Sequence, residues 1–569
     1  MKPGSLFSAL SIGLFWSLSV FTASAQRKTQ PADTIVLHGK IYTLNSKQPW
    51  AEALAVRGDR IVAVGSDADI ARWQSKDTKV IDAKGHLVLP GFTDCHIHFI
   101  DGSFSLGRVN LEGAKDATDI QQRLRAYGAK HPGNDWILGR GWNYAMFPTS
   151  LPDKKYLDEV FPDRPAFLEG YDGHTYWANS KALALAQITK DTPNPPNGTI
   201  VRDPETGEAT GALKEAAQSL VAAVVPKPTR GEKLAALRAG IHWANENGLT
   251  RVHSAGGDFE NFDLYDELLR HGDLTVRFYI SYFQDPPELR AQDISAIEDA
   301  RKKYAGDWLS AGAVKFMIDG VIESHTAAML EPYSDDPSLK GKLFWAADKY
   351  KSAIAELDKR NLQLFTHAIG DYGIRTALDG YENAGRLNHS SGHRARIEHI
   401  ESVSAADISR FGKLGVIASM QPLHSYPDRD TLDVWARNIG PDRASRAWVW
   451  KSISGDGGRL AFGSDWPVVT LNPFEGIQTA VTRQTSEGLP KDGFVPSERL
   501  SVAEAVRGYT LGAAFAGFRE NTEGSLEPGK LADLIILSQN LFEIGSHKID
   551  ETKVLTTVVG GRVVFQSQP

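Results

Sequence analysis

Eight short apolar runs, separated by stretches of helical periodicity, constrain this chain more than any other feature. The runs are Gly91–His98, Thr250–His253, Val276–Tyr282, Ala313–Ile318, Leu362–His367, Ala395–Ile400, Gly415–Met420 and Leu460–Asp465. Helical stretches such as Glu232–Asn247, Tyr350–Lys359 and Gly373–Asn383 lie between them. Alternation of this kind predicts an α/β fold with parallel strands, and eight repeats favour a (β/α)8 TIM barrel over an open sheet. The first connection is far longer than a βα loop should be. From about residue 104 to about 228 the chain is rich in Trp, Gly and Pro, and we read this as an insertion after the first barrel strand that covers the barrel mouth.

The two chain ends look alike. Thr34–Leu44 reads as two short strands around a Gly turn, and Ala53–Gly65 as a hairpin turning at Gly58-Asp59. Ala532–Leu537 reads as a buried strand and Val554–Phe565 as a hairpin turning at Gly560-Gly561. Neither end has strands enough to close a core. Residues 26–90 and 521–569 are therefore expected to form one small β-sandwich beside a barrel of residues 91–520. Residues 1–25 have a different character: Lys2, an apolar run from Leu6 to Phe21, then Ala23-Ser24-Ala25. That pattern is a secretory signal cleaved after Ala25, which predicts a secreted or periplasmic protein. The run falls short of the roughly 20 residues a bilayer span needs, so no membrane association is expected after cleavage. A net charge of -7 over 569 residues leaves no basic footprint for nucleic acid. Cys95 is the only cysteine, which excludes an internal disulfide. The expected partner is a small-molecule substrate, with a homodimer left open.

In such barrels the chemistry sits where strands end and loops begin. His96 and His98 end the first strand one residue apart, so strand alternation puts them on one face. The fourth strand carries Lys315, the fifth ends at His367, the sixth ends in Glu398-His399, and the eighth ends at Asp465. Four imidazoles, a carboxylate and a lysine would converge on one rim. Each alone is most often a satisfied, partly buried side chain, but six on one rim make coincidence improbable, and imidazoles with a carboxylate are metal ligands.

Taken together these positions resemble the amidohydrolase superfamily of metal-dependent hydrolases. More narrowly, Asp172-Gly173-His174, Lys315 with Asp319-Gly320, His367-Ala368-Ile369-Gly370-Asp371, Arg396-Ile397-Glu398-His399 and Gly463-Ser464-Asp465-Trp466-Pro467-Val468 resemble its amidohydrolase 3 branch, which includes N-substituted formamide deformylase. Gly524–Leu534 resembles the return into the sandwich. The resemblance implies that His96, His98 and Asp465 bind one metal, that His367 and His399 bind a second, and that Lys315 bridges the two as a carbamate. It also implies a metal-activated hydroxide, with Asp465 as general base and acid. Zinc is expected, because imidazole suits it and the reaction needs no redox partner. His174 is a further catalytic candidate. Asp172, Asp319, Gln421 and Trp466 are candidates for contact with substrate, as is His424, whereas His253 is placed behind the ligands or in the core. An arginine frequent in this branch is missing near Val321–Thr326, where the chain has Glu323 and His325. The implied activity is hydrolysis of non-peptide C–N bonds, amide- or formamide-like. The alternatives are a deaminase or an ester or lactone hydrolase on the same metal site, or a non-enzymatic secreted binding protein.

Overall fold

The run that carries His96 and His98 is broken in two. Leu87–Pro90 belongs to a sheet built by the chain ends, and Phe92–Ile97 is the first barrel strand, β1. Gly91 joins them where no side chain fits: a Cβ there would lie 2.2 Å from the Thr250 side chain. The computed structural model describes residues 30–133, 135–390 and 393–568, and the expected signal segment, 1–25, lies outside them.

Seven more strands complete the barrel: β2 Leu249–Ser254, β3 Arg277–Gln284, β4 Leu309–Met317, β5 Gln363–Ala368, β6 Arg396–His399, β7 Ile417–Met420 and β8 Arg459–Phe462. Neighbours pair in parallel and in chain order. The expected eighth strand runs to Asp465, but the observed one stops at Phe462, and Asp465 takes a left-handed backbone (φ 64°). That bend closes the seam between β8 and β1. Asp465 N donates to His96 O at 2.7 Å, and His98 N donates to Trp466 O at 2.8 Å.

The helices between strands follow the sequence pattern. Arg230–Glu246 begins at a capping box in which Thr229 and Glu232 satisfy each other's backbone amides, and it buries Leu237, Ile241 and Ala244 along one stripe. Ala347–Lys359 and Asp371–Asn388 flank β5 in the same way. Each fully buried Leu or Ile of this kind contributes roughly 1.5–3 kcal/mol.

The chain ends form two sheets packed face to face. One orders Trp50–Ala51, Lys40–Tyr42, Leu87–Pro90, Leu534–Leu537, Val554–Val559 and Arg562–Gln566. The other orders Arg60–Gly65, Ala53–Arg57, Thr34–Leu37 and Lys79–Asp82. Their shared core includes Val36, Leu54, Val88, Leu534 and Val558. Two buried ion pairs tie this sandwich to the barrel: Arg277 with Asp533 at 2.7 Å and Arg251 with Glu523.

The insertion is a folded layer rather than a loop. It has a six-stranded sheet in the order Gly198–Arg202, Ala209–Glu215, Thr175–Ala178, Ala166–Gly170, Ile137–Trp142 and Val109–Asn110. Trp142, Trp177 and Phe147 fill its core edge to face. Among the described residues, no helix is long and apolar enough to cross a membrane.

Candidate metal centre

His96 leaves the end of β1 fully buried, and its Nδ1 lies 2.6 Å from Glu398 Oε2. The ring nitrogen that faces the carboxylate donates to it, which turns Nε2 toward the centre of the rim. Glu398 is itself held from the side: Arg396 Nε donates to it at 2.8 Å. Burial alone would raise the Glu398 carboxyl, but Arg396 and His96 outweigh it and hold it down at about 2. Arg396 also donates to the Cys95 carbonyl at 2.6 Å and lies 3.6 Å from the centre of the Phe365 ring. His253 Nδ1 stands 3.1 Å from Arg396, and burial together with that guanidinium keeps its ring neutral. His253 is therefore part of the support beneath the site.

Around His96 Nε2 the rim residues gather. Lys315 Nζ is 3.2 Å away and Asp465 Oδ1 3.3 Å away, and His98 Nε2 is also 3.3 Å from Asp465 Oδ1. The His399 ring lies 4.8 Å from that of His96 and 4.5 Å from that of His367. All six residues expected at the rim are thus brought together. The tightest trio differs from the expected grouping, however. Ligand atoms of His96, His399 and Asp465 lie within 4.8 Å of one another, whereas His98 stands at the edge with its side chain 28 % exposed. His399 and Asp465 both hold left-handed backbones (φ 74° and 64°), a strain found where structure must aim a side chain.

The donor set fits a divalent cation. His399 Nδ1 and Asp465 Oδ1 are buried with no hydrogen-bond partner, an arrangement that costs about 1–3 kcal/mol for each such atom if nothing fills it. Burial, reinforced by the neighbouring cations, pushes His367 and His399 well below the usual imidazole range, so both are neutral, the form that binds metal. His367 Nε2 faces the Gly320 carbonyl at 3.2 Å, which leaves Nδ1 as its free donor. For Asp465, burial is outweighed by His96 and the other imidazoles, and its carboxyl is held well below its ordinary range.

Above this cluster opens a cavity of about 1040 Å³. His174, from the insertion, reaches its wall with the ring 5.6 Å from that of His367. The His174 Nδ1 lies 3.0 and 3.1 Å from the two oxygens of Glu215. Burial would lower the His174 pKa, but Glu215 raises it to about 9. Glu215 is a functional residue that sequence reasoning missed. It has a left-handed φ of 50° and a second bond from Thr326 Oγ1 at 2.7 Å.

The remaining expected contacts divide. Asp172 lines the cavity and accepts from Tyr144 Oη at 2.8 Å. Glu323, Glu401 and His424 also line it, with Glu323 accepting from Tyr171 Oη at 2.8 Å. Asp319, Gln421 and Trp466 lie behind the wall, not on it, and this corrects the expectation that they touch substrate. Asp319 is fully buried and spends its oxygens on the amides of Ala328, Ile369 and Gly370, at 3.0, 3.1 and 2.9 Å. Gln421 is fully buried, and neither polar atom of its amide has a hydrogen-bond partner. Trp466 packs against Phe99 and fills the space a Cβ at Gly102 would need.

Neutral nitrogen donors and an ionised carboxylate at the C-terminal rim of a (β/α)8 barrel define, by class, a metal-dependent hydrolase. Comparison with known proteins narrows the class. Protein LONG AFTER FAR-RED 3 of Arabidopsis thaliana is 33% identical over 94% of this chain and 92% of its own length. N-substituted formamide deformylase of Arthrobacter pascens is 27% identical over 95% and 99%. The crystal structure of an uncharacterized metal-dependent hydrolase from Pyrococcus furiosus superposes with a TM-score of 0.68 at 26% identity, covering 90% of this chain and all of that one. The profile of the amidohydrolase family matches residues 79–565, and the chain belongs to that family.

Proposed function

We propose that this protein hydrolyses non-peptide C–N bonds of amide or formamide type, with zinc held by His96, His98, His367, His399 and Asp465. The observation that carries the reading is the buried His96–His399–Asp465 cluster at the floor of a deep cavity. The full-length likeness to a formamide deformylase supports the choice of bond.

A divalent ion bound there supplies a water of lowered pKa and a Lewis acid for the carbonyl. The chain's own groups do the rest. Asp465, ionised and at the cluster, takes the water's proton and returns it to the leaving nitrogen. His174 keeps its Nδ1 on Glu215, which leaves Nε2–H as a cationic donor for the carbonyl oxygen as charge builds on it. The layer formed by the insertion supplies His174, Asp172 and Glu215 to the cavity wall.

Lys315 adds the carbamate of the proposal. Burial lowers its amine to about 8 against the opposing pull of Glu398 and Asp465, so a free amine is at hand near neutral pH. The nitrogen would add to carbon dioxide, forming the N–C bond as the amine proton leaves to solvent, and the resulting carbamate would offer anionic oxygens to a bound cation. Export belongs to the same proposal, supported by the apolar run Leu6–Phe21 and Ala23-Ser24-Ala25.

Metal analysis of purified protein, followed by a panel of N-formyl and N-acyl amines, cyclic amides, lactones and aminated heterocycles, tests the reading. Turnover of the open-chain amides is expected to dominate. Preference for lactones or ring amines would replace the reaction while keeping the site. A protein that holds no transition metal and gains no activity on zinc addition overturns the proposal and favours a binding role.

A further inference from the structure

A second chamber of about 600 Å³ adjoins the active cavity, and the two share Tyr171, His424 and Val468 as walls. Its lining has five carboxylates, from Glu112, Asp428, Asp430, Glu475 and Asp550, and no lysine or arginine. Glu112 is paired with the buried Arg140 at 3.3 Å. Among the described residues the other four make no ion pair with a lysine or arginine. Three of them hold only neutral local donors: Asp428 the amide of Thr431, Glu475 the Asn472 side chain, and Asp550 the Gln478 side chain.

Asp430 is the telling member. It is 3 % exposed, its Oδ1 accepts from the Ala145 amide at 3.3 Å, and the Tyr171 hydroxyl lies beside its carboxyl. Its Oδ2 is buried with no partner. Burial, with Asp428 beside it, raises the Asp430 carboxyl to about 7, and the Tyr171 hydroxyl opposes that shift only in part. Asp430 also opens the π-helical turn Asp430–Trp435, a distortion common at functional sites. A buried acceptor left open is costly unless a ligand meets it.

The distribution of these acids selects the kind of cation. Among the described residues, only His96, His399 and Asp465 place three ligand atoms close enough to grip a single ion. The acids of the second chamber are too dispersed for that. A negative field spread along a chamber suits an ammonium group carried on an organic chain. We propose that the second chamber binds a positively charged amino group of the substrate, so that the amide cleaved at the rim belongs to a molecule with a free amine beyond its scissile bond.

This rests on the reading of the rim as an amide hydrolase, and binding separates the two. Calorimetry on the full-length protein would compare N-acetylhexane-1,6-diamine, which is cationic, with N-hexylacetamide, which is neutral, each with and without zinc. A charge-assisted bond in a dry site predicts about 10- to 100-fold tighter binding of the cationic amide, reduced at high salt. Asp430→Asn, or Glu475→Gln if the first variant fails to fold, should remove that difference and leave the neutral amide unaffected. Equal binding of the two amides, indifference to both variants, or displacement of the amine by calcium at lower concentration overturns the chamber. Selective binding without hydrolysis of either amide retains the chamber and removes the reaction. Hydrolysis of both without selectivity does the reverse.

Discussion

Replacing Glu398 by Gln asks how far the metal centre is built from behind. The side chain keeps its shape between His96 Nδ1, at 2.6 Å, and Arg396 Nε, at 2.8 Å, but loses its charge. His96 would still find an acceptor, though a weaker one, and its Nε2 would be a poorer ligand. Loss of such a partner lowers metal affinity about 10- to 100-fold, or about 1.4–2.7 kcal/mol. Arg396, fully buried, would also lose its counter-ion. Removing one partner of a buried pair costs about 3–5 kcal/mol, and the lower end applies because the Cys95 carbonyl and the Phe365 face remain to it. Two assays separate the terms: zinc affinity by competition with a chromophoric chelator, and urea unfolding of the metal-free protein. Both are expected to fall. A Glu398→Gln protein that binds zinc and resists urea like the wild type would refute the reasoning. A loss of stability alone would assign Glu398 to Arg396 and not to the metal.

Other outcomes follow from the same structure. Glu215→Gln removes the anion that lifts His174 to about 9, so the alkaline limb of the rate profile should move to lower pH, with kcat reduced more than KM. The raised His174 pKa also means that its contribution to stability is complete below about 6.5 and is lost as pH rises through about 9. Lys315→Ala should lower metal content measured after dialysis, and full retention of metal would remove the bridging role. Asp258, bonded to Ser254 and Tyr265, is raised by burial to about 7. Its folded state holds a proton that the unfolded chain releases near 3.9, so stability should fall as pH rises from about 4 to about 7. Asp258→Asn should flatten that slope in melting temperatures measured against pH.

The barrel was legible because its strands are buried apolar runs whose spacing needs no knowledge of partners. Predicted Ala313–Ile318 overlaps the observed Leu309–Met317 and runs one residue past its end, and predicted Leu362–His367 nearly matches Gln363–Ala368. The rim ligands were legible for the same reason, since all but Lys315, which lies within its strand, stand at or near the end of such a run. The insertion's sheet was not, because its strands are as short as Val109–Asn110 and alternate weakly. Glu398 and Glu215 escaped because a carboxylate takes its role from a partner, and His96 is 302 positions from Glu398. Asp319, Gln421 and Trp466 show the opposite failure. A place just past a strand end puts a residue near the rim but does not say which way it turns. Left-handed residues such as His399 and Asp465 break the alternation that would have told.

The join between β8 and β1 has a consequence for how the protein comes into being. Asp465 N meets His96 O at 2.7 Å across that join, so the first and last strands of the barrel dock at the very place where the ion would sit. A nascent polypeptide that has emerged only as far as Phe462 already owns every imidazole at the rim, yet has neither the carboxylate nor the closing backbone contact. Ion capture should therefore be a late event in biogenesis, a seal set on a finished cylinder and not a template around which it grows.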